Sequence, residues 1–291
     1  MATTKKVSLI ECPRDAMQGW KYIIPTEKKV NYINVLLKAG FDTIDFGSFV
    51  SPKAIPQMAD TKEVIKGLQI GESKTKLLAI VANVRGAEEA VVYDAISYLG
   101  FPFSISPVFQ QRNTNSTMEN SLEMVEEIQN LCIKNQKELV VYISMGFGNP
   151  YGNPYNEAIV LEWVDKLVQM EIPIISMADT VGLATPVQVN SILSTLIPAY
   201  PGVEIGVHLH SSPFSWKEKI EAAINGGCTR FDGALKGIGG CPMAGNELVG
   251  NMDTELMIPY FQSMHLLGDM NREALEECSK MATEIFGTGN I

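Results

Sequence analysis

The chain has 291 residues, of which 46% are hydrophobic and 19% charged, and its formal net charge is −10. That apolar content excludes a disordered chain and suffices for a large core. The acidic balance, with a pI of about 4.9, excludes a general ligand for nucleic acid or anionic membrane, so an anionic substrate needs a local cation. Taken in chain order, the pattern predicts a strand over Val7–Glu11, a helix over Thr26–Ala39, a strand over Thr43–Phe46 and a helix over Thr61–Leu68. A strand over Leu77–Val81 follows, then a helix over Gly86–Ser97 whose end overlaps the next strand, Ile96–Ser104. The helix Met118–Lys137, strand Leu139–Ser144, helix Asn156–Gln169 and strand Ile172–Met177 come next. The series ends with the helix Pro186–Ile197, strand Glu204–His208, helix Ser215–Ile224, strand Arg230–Leu235 and a helical end from Thr254 onward.

Most of these strands begin about 30 to 40 residues apart, the size of one βα unit. They are apolar on both faces, as strands of a parallel sheet covered by helices are. Eight such units predict one (β/α)8 TIM barrel spanning 1–291 as a single catalytic domain with a helical C-terminal end. An open doubly wound sheet is the competing arrangement, and the lack of a GxGxxG or Walker A loop weighs against its nucleotide-binding versions. The five cysteines, Cys12, Cys132, Cys228, Cys241 and Cys278, form no CxxC pair, which points to reduced cysteine. With no signal-type or membrane-length apolar stretch, the expected location is soluble and cytoplasmic.

In a barrel of this kind the chemistry sits where the strands end. The first strand ends in Cys12-Pro13-Arg14-Asp15, where the charged pair reads either as a solvated turn or as an oxyanion stabiliser beside a cation ligand. The seventh ends in His208-Leu209-His210, two of only three histidines. Residues two apart in a strand share a side, which favours metal ligation over two separately satisfied rings. The eighth is followed by Gly237-Ile238-Gly239-Gly240-Cys241, a glycine-rich segment suited to a lid, where Cys241 is also readable as an inert small hydrophobe. Asn251 reads as a helix cap or as a neutral oxygen ligand. Asp179 ends the sixth strand and reads as a turn cap or a substrate neighbour. Asp45, in the second, reads as a structural partner of a basic group or as a catalytic carboxylate, with Ser48 and Lys53 beyond it.

Together the segments Pro13–Gln18, Ser48–Asp60, Ala178–Pro186, His208–His210 and Gly237–Ala244 resemble the hydroxymethylglutaryl-CoA lyase family, within a wider group of metal-dependent barrels that includes isopropylmalate synthase and related aldolases. The resemblance runs from about Val7 to Tyr260. It implies a carbon–carbon lyase acting on an acyl-CoA, with Asp15, His208, His210 and Asn251 around a divalent cation, by resemblance Mg or Mn, with Zn and Co also compatible. It further implies that Arg14 meets the enolate, that His208 moves protons with help from Asp15, that Cys241 rides a closing loop, and that Asp179 positions the reacting end. Gln18, Lys21 and Ser48 are the implied substrate contacts, and a homodimer the implied assembly. The chain departs from the family pattern at Ala16, at Gly19-Trp20, at Asp45 where a Glu is usual, at Ser211-Ser212 after the second histidine, and by one extra residue between Cys241 and Asn251. These departures bear on the substrate rather than the ligand set. The alternatives are an aldol-type or condensing relative using a 2-oxo acid, and a silent barrel serving as a binding protein. A silent barrel is expected to have lost a ligand, and none is lost.

Overall fold

A computed structural model describes residues 6–240 and 250–287. Eight parallel strands form a closed barrel in sequence order. They are β1 (Ser8–Glu11), β2 (Thr43–Ser48), β3 (Lys76–Ile80), β4 (Ile96–Ser104), β5 (Glu138–Ser144), β6 (Ile174–Ala178), β7 (Glu204–His208) and β8 (Arg230–Gly233). The ring closes through β1 and β8, with Ser8 paired to Arg230 and Glu11 to Gly233. Each predicted strand is therefore present. The eighth is shorter than expected, because Lys236, at φ 67°, turns the chain out of extended backbone at Leu235–Gly237.

The helices are α1 (Pro13–Gln18), α2 (Thr26–Ala39), α3 (Thr61–Gly67), α4 (Val84–Val91), α5 (Pro107–Thr114), α6 (Met118–Lys134), α7 (Glu157–Gln169), α8 (Pro186–Ala199), α9 (Trp216–Asn225), α10 (Thr254–Ser263) and α11 (Arg272–Phe286). Two of them, α1 and α5, were not anticipated. The expected helix over Gly86–Ser97 starts earlier and stops sooner. The Asn83 side chain caps α4 by accepting from the Gly86 N–H, and Ile96 and Ser97 belong to β4. Among the described residues no helix is long and apolar enough to cross a membrane.

The main core lies between the sheet and its helices. Inside the barrel a second, much smaller apolar cluster joins Leu78, Ile80, Val140, Tyr142 and Ile174. The rest of the interior holds charge: Arg230 and Asp232 of β8 are each only 2% exposed. Gly206 of β7 makes room for Arg230, since a Cβ there would lie 2.9 Å from the Arg230 side chain.

Candidate active site

The polar residues gather where β1, β2, β7 and β8 end. α1 begins directly after β1 with Pro13 in its first turn, which needs no partner for the missing N–H. One helical turn then brings Arg14, Asp15 and Gln18 onto one face. Gln18 Nε2 donates to Asp15 Oδ1 at 2.6 Å, and Arg14 Nη1 donates to Gln18 Oε1 at 2.9 Å and to Asp15 Oδ1 at 3.2 Å. Across the barrel mouth, Arg14 Nε and Nη2 donate to the Asp45 carboxylate of β2. Among the described residues four of the five guanidinium N–H groups are thereby bound, and one on Nη2 is left. Burial pushes the Asp45 carboxyl up to about 6, against the pull of Arg14. It stays ionised at neutral pH and clamps Arg14 bidentately. One of the two readings of Asp45, a structural partner for a basic group, is the one observed.

His208 closes β7 and His210 follows two residues on, their rings 5.3 Å apart. An antiparallel bridge ties His210 to Asn251. Asn251 Nδ2 donates to Asp15 Oδ2 at 2.7 Å and to the Ile238 carbonyl, while among the described residues its Oδ1 is buried without a partner. Both ring nitrogens of His210 are likewise buried and unpartnered. Buried acceptors rarely go unsatisfied, so these atoms ask for a ligand. Nitrogen or oxygen atoms of Asp15, His208 and His210 all lie within 4.8 Å of one another, a group able to hold a metal ion. Two imidazoles, a carboxylate and an amide oxygen suit a divalent cation. Asp15 already accepts four hydrogen bonds, the fourth from the Gly240 N–H at 3.1 Å. That is the full capacity of a carboxylate, so a cation there replaces one donor.

The electrostatics prepare these groups. Burial raises the Asp15 carboxyl, but Arg14 and the two histidines outweigh it and hold it below its ordinary value. Burial, helped by the neighbouring His208, pushes His210 down to about 4, which keeps the ring neutral with one nitrogen lone pair free. Burial also disfavours charge on His208, yet the hydrogen bond and charge of Asp232 more than compensate and raise it.

Arg14, Asp15, Gln18, His208 and His210 line a cavity open to solvent, whose wall also carries the apolar Val50, Ile55, Ile80, Pro102 and Phe109. The Tyr142 hydroxyl, on the same cavity, is buried and unpartnered. Three expected contacts are not part of that wall. Lys21 is exposed beyond α1, with its amine 5.5 Å from the Tyr22 ring. The Ser48 hydroxyl accepts from the Val50 N–H. Asp179 is turned away, its Oδ2 taking the Lys219 amine at 2.8 Å and its Oδ1 the Ala184 N–H. Lys219 also donates to the His210 carbonyl at 2.7 Å, so Asp179 acts on the site through the backbone of His210. Cys241 lies outside the described residues. Two residues escaped the sequence reading, Asp232 and Lys219. Asp232 carried a signal, since a carboxylate and an arginine at the same parity of an apolar strand face inward together.

The HMGL-like family model matches residues 7–281. This chain belongs to that family. Among curated members, hydroxymethylglutaryl-CoA lyase YngG of Bacillus subtilis is 31% identical over 291 residues, covering 99% of this chain and 95% of the relative. The 3-hydroxy-3-isohexenylglutaryl-CoA/hydroxy-methylglutaryl-CoA lyase of Pseudomonas aeruginosa is 29% identical, covering 100% and 96%. Among solved members, an HMG-CoA lyase from Acinetobacter baumannii in complex with coenzyme A and 3-methylmalate superposes with a TM-score of 0.90 at 30% identity, covering 99% of this chain and 93% of that one. The HMGL-like barrel expected from the sequence is thus the barrel observed.

Proposed function

We propose that this chain is a divalent-metal-dependent carbon–carbon lyase that cleaves 3-hydroxy-3-methylglutaryl-CoA to acetyl-CoA and acetoacetate. One observation carries the reading: ligand atoms of Asp15, His208 and His210 lie within 4.8 Å of one another, with Asn251 hydrogen-bonded to Asp15 and the Arg14 guanidinium beside it. The curated relatives of the family carry the same activity in their names.

Asp15, His208, His210 and Asn251 are the residues that would hold the metal, Mg or Mn by family resemblance. When bound, the metal supplies Lewis-acid chemistry, making the tertiary hydroxyl of the substrate more acidic and fixing its orientation. The hydroxyl gives up its proton, its oxygen becomes the ketone of acetoacetate, and the electrons of the broken C–C bond pass onto the thioester as an enolate. Arg14, held rigid by Asp45 and Gln18, has one N–H left to meet that charge where it develops. The enolate carbon then takes up a proton and leaves as acetyl-CoA. With its Nδ1 engaged by Asp232, His208 has only Nε2 to offer, so the same atom either ligates the cation or carries protons. Metal affinity in His208→Ala separates the two roles. The apolar wall of Val50, Ile55, Ile80, Pro102 and Phe109 shields the enolate from water. We further read the protein as a cytoplasmic homodimer, a reading supported by the resemblance alone and checked by sedimentation.

The test is incubation with 3-hydroxy-3-methylglutaryl-CoA and Mn²⁺ or Mg²⁺. Acetoacetate and acetyl-CoA in equal amounts are expected. Their absence, alongside turnover of a 2-oxo acid with acetyl-CoA, would transfer the chain to the condensing relatives.

A further inference from the structure

We propose that Asp232 is the positioning residue that aims His208 Nε2 into the cation site, an inference that rests on the metal reading above. On β8, Phe231 packs against Phe261 among the helices, with ring centroids 4.9 Å apart. Its neighbours Arg230 and Asp232 therefore point into the barrel. Asp232 Oδ2 lies 3.1 Å from His208 Nδ1. A carboxylate can only accept, so Nδ1 carries the hydrogen and the lone pair sits on Nε2. That is the one nitrogen left to meet Asp15 and His210. A ring without this partner is free to present either tautomer, and one of the two cannot ligate.

Below Asp232 on the same strand, Arg230 faces the same interior and pairs with Glu204 Oε2 at 3.5 Å. Arg230 cannot swing away easily, because its stem packs over Gly206 of β7. Among the described residues Asp232 Oδ1 and Arg230 Nε and Nη2 are buried without hydrogen-bond partners, so Arg230 offers the Asp232 carboxylate long-range charge rather than a direct bond. A column of Arg230, Asp232 and His208 thus runs up the inside of the barrel to the site. The competing use of the same carboxylate is as a ligand in its own right, since Cys12, His208 and Asp232 also lie within 4.8 Å of one another.

The test uses the full chain labelled with ¹⁵N-histidine. There are only three histidines, so single substitutions assign the signals. In the metal-free wild type, at a pH high enough to hold the ring neutral, His208 is expected as the Nδ1–H tautomer, and in Asp232→Asn as the Nε2–H tautomer, because the amide donates where the carboxylate accepted. Mn²⁺ titration, followed by the EPR signal of the free ion, is expected to show about 10- to 100-fold weaker binding in Asp232→Asn, with partial recovery in Asp232→Glu. Wild-type affinity and an unchanged tautomer in Asp232→Asn would overturn the proposal. So would an Nε2–H tautomer in the wild type, a measurement that survives even if the variant fails to fold. Loss of Mn²⁺ binding in Cys12→Ala would make Asp232 a ligand instead. If His208→Ala and His210→Ala both bind Mn²⁺ normally, the metal reading is what fails, and the tautomer still judges Asp232.

Discussion

Glu11 offers a sharp test of how the barrel rim tolerates buried charge. It ends β1, is fully buried, and accepts from the Leu235 N–H at 2.8 Å and the Thr254 hydroxyl at 2.7 Å. Burial, reinforced by Asp253 and Glu255, pushes its carboxyl from 4.5 up to about 8, although those two hydrogen bonds pull the other way. The folded state thus keeps a proton that the unfolded chain releases at lower pH. The contribution to stability is complete below about pH 4.5 and is lost as pH rises through about 8. At 1.36 kcal/mol per pKa unit, this one group should cost the protein about 3 kcal/mol between pH 5 and pH 8. Glu11→Gln can keep both contacts, its carbonyl accepting from Leu235 and its amide donating to Thr254. The two proteins should therefore melt together near pH 5 and separate by roughly 6 °C at pH 8, the variant being the more stable. Melting curves of both at several pH values measure this, since other titrating groups cancel in the difference. A difference that is flat with pH, or that favours the wild type as pH rises, would refute the reasoning.

Arg14→Gln should lower kcat by roughly 10³-fold, because the charge it meets exists only after the bond breaks. An effect confined to KM would contradict that role. Gly239→Ala should abolish turnover and lower the melting temperature: Gly239 sits at φ 113° and a Cβ would lie 2.6 Å from Asn251 Nδ2 and 2.8 Å from the Asp15 carbonyl oxygen. Wild-type rates in that variant would show the loop to be remote from the chemistry. Metal removal with a chelator should lower the melting temperature, and at 100 Kd of Mn²⁺ the restored stabilisation should be about 2.7 kcal/mol. An unchanged melting temperature would argue against a resident cation.

Much of this architecture is legible in the sequence, for a physical reason. Parallel strands are buried on both faces, so they stand out as unbroken apolar runs such as Leu139–Ser144, and capped amphipathic helices such as α2 separate them. What was missed lacks those signals. α1 is six residues long and carries the site's own Arg14, Asp15 and Gln18. α5 mixes Phe109 with Gln110, Gln111, Arg112 and Asn113 and shows no apolar stripe. In the site, the His208-Leu209-His210 pair is visible because strand parity alone places both rings on one side. The partners of Asp232 and Lys219 are not, because they lie 24 and 40 residues away and only the folded barrel brings them together. Asp179 illustrates the reverse case. Its position at a strand end suggested a turn cap or a substrate neighbour; the Ala184 N–H takes one oxygen, as a cap would, and a lysine from α9 takes the other.

The closure of the ring through β1 and β8 also governs when the site can exist. Asp15 and Asn251 are 236 positions apart and meet only across that seam. During synthesis the first donor leaves the ribosome long before the last, so a nascent chain has no complete nest for an ion to template. A cation of this kind can reward only the finished ring, acting as a clasp on its final joint: it should slow the unzipping of the two end strands and leave the early steps of assembly unassisted.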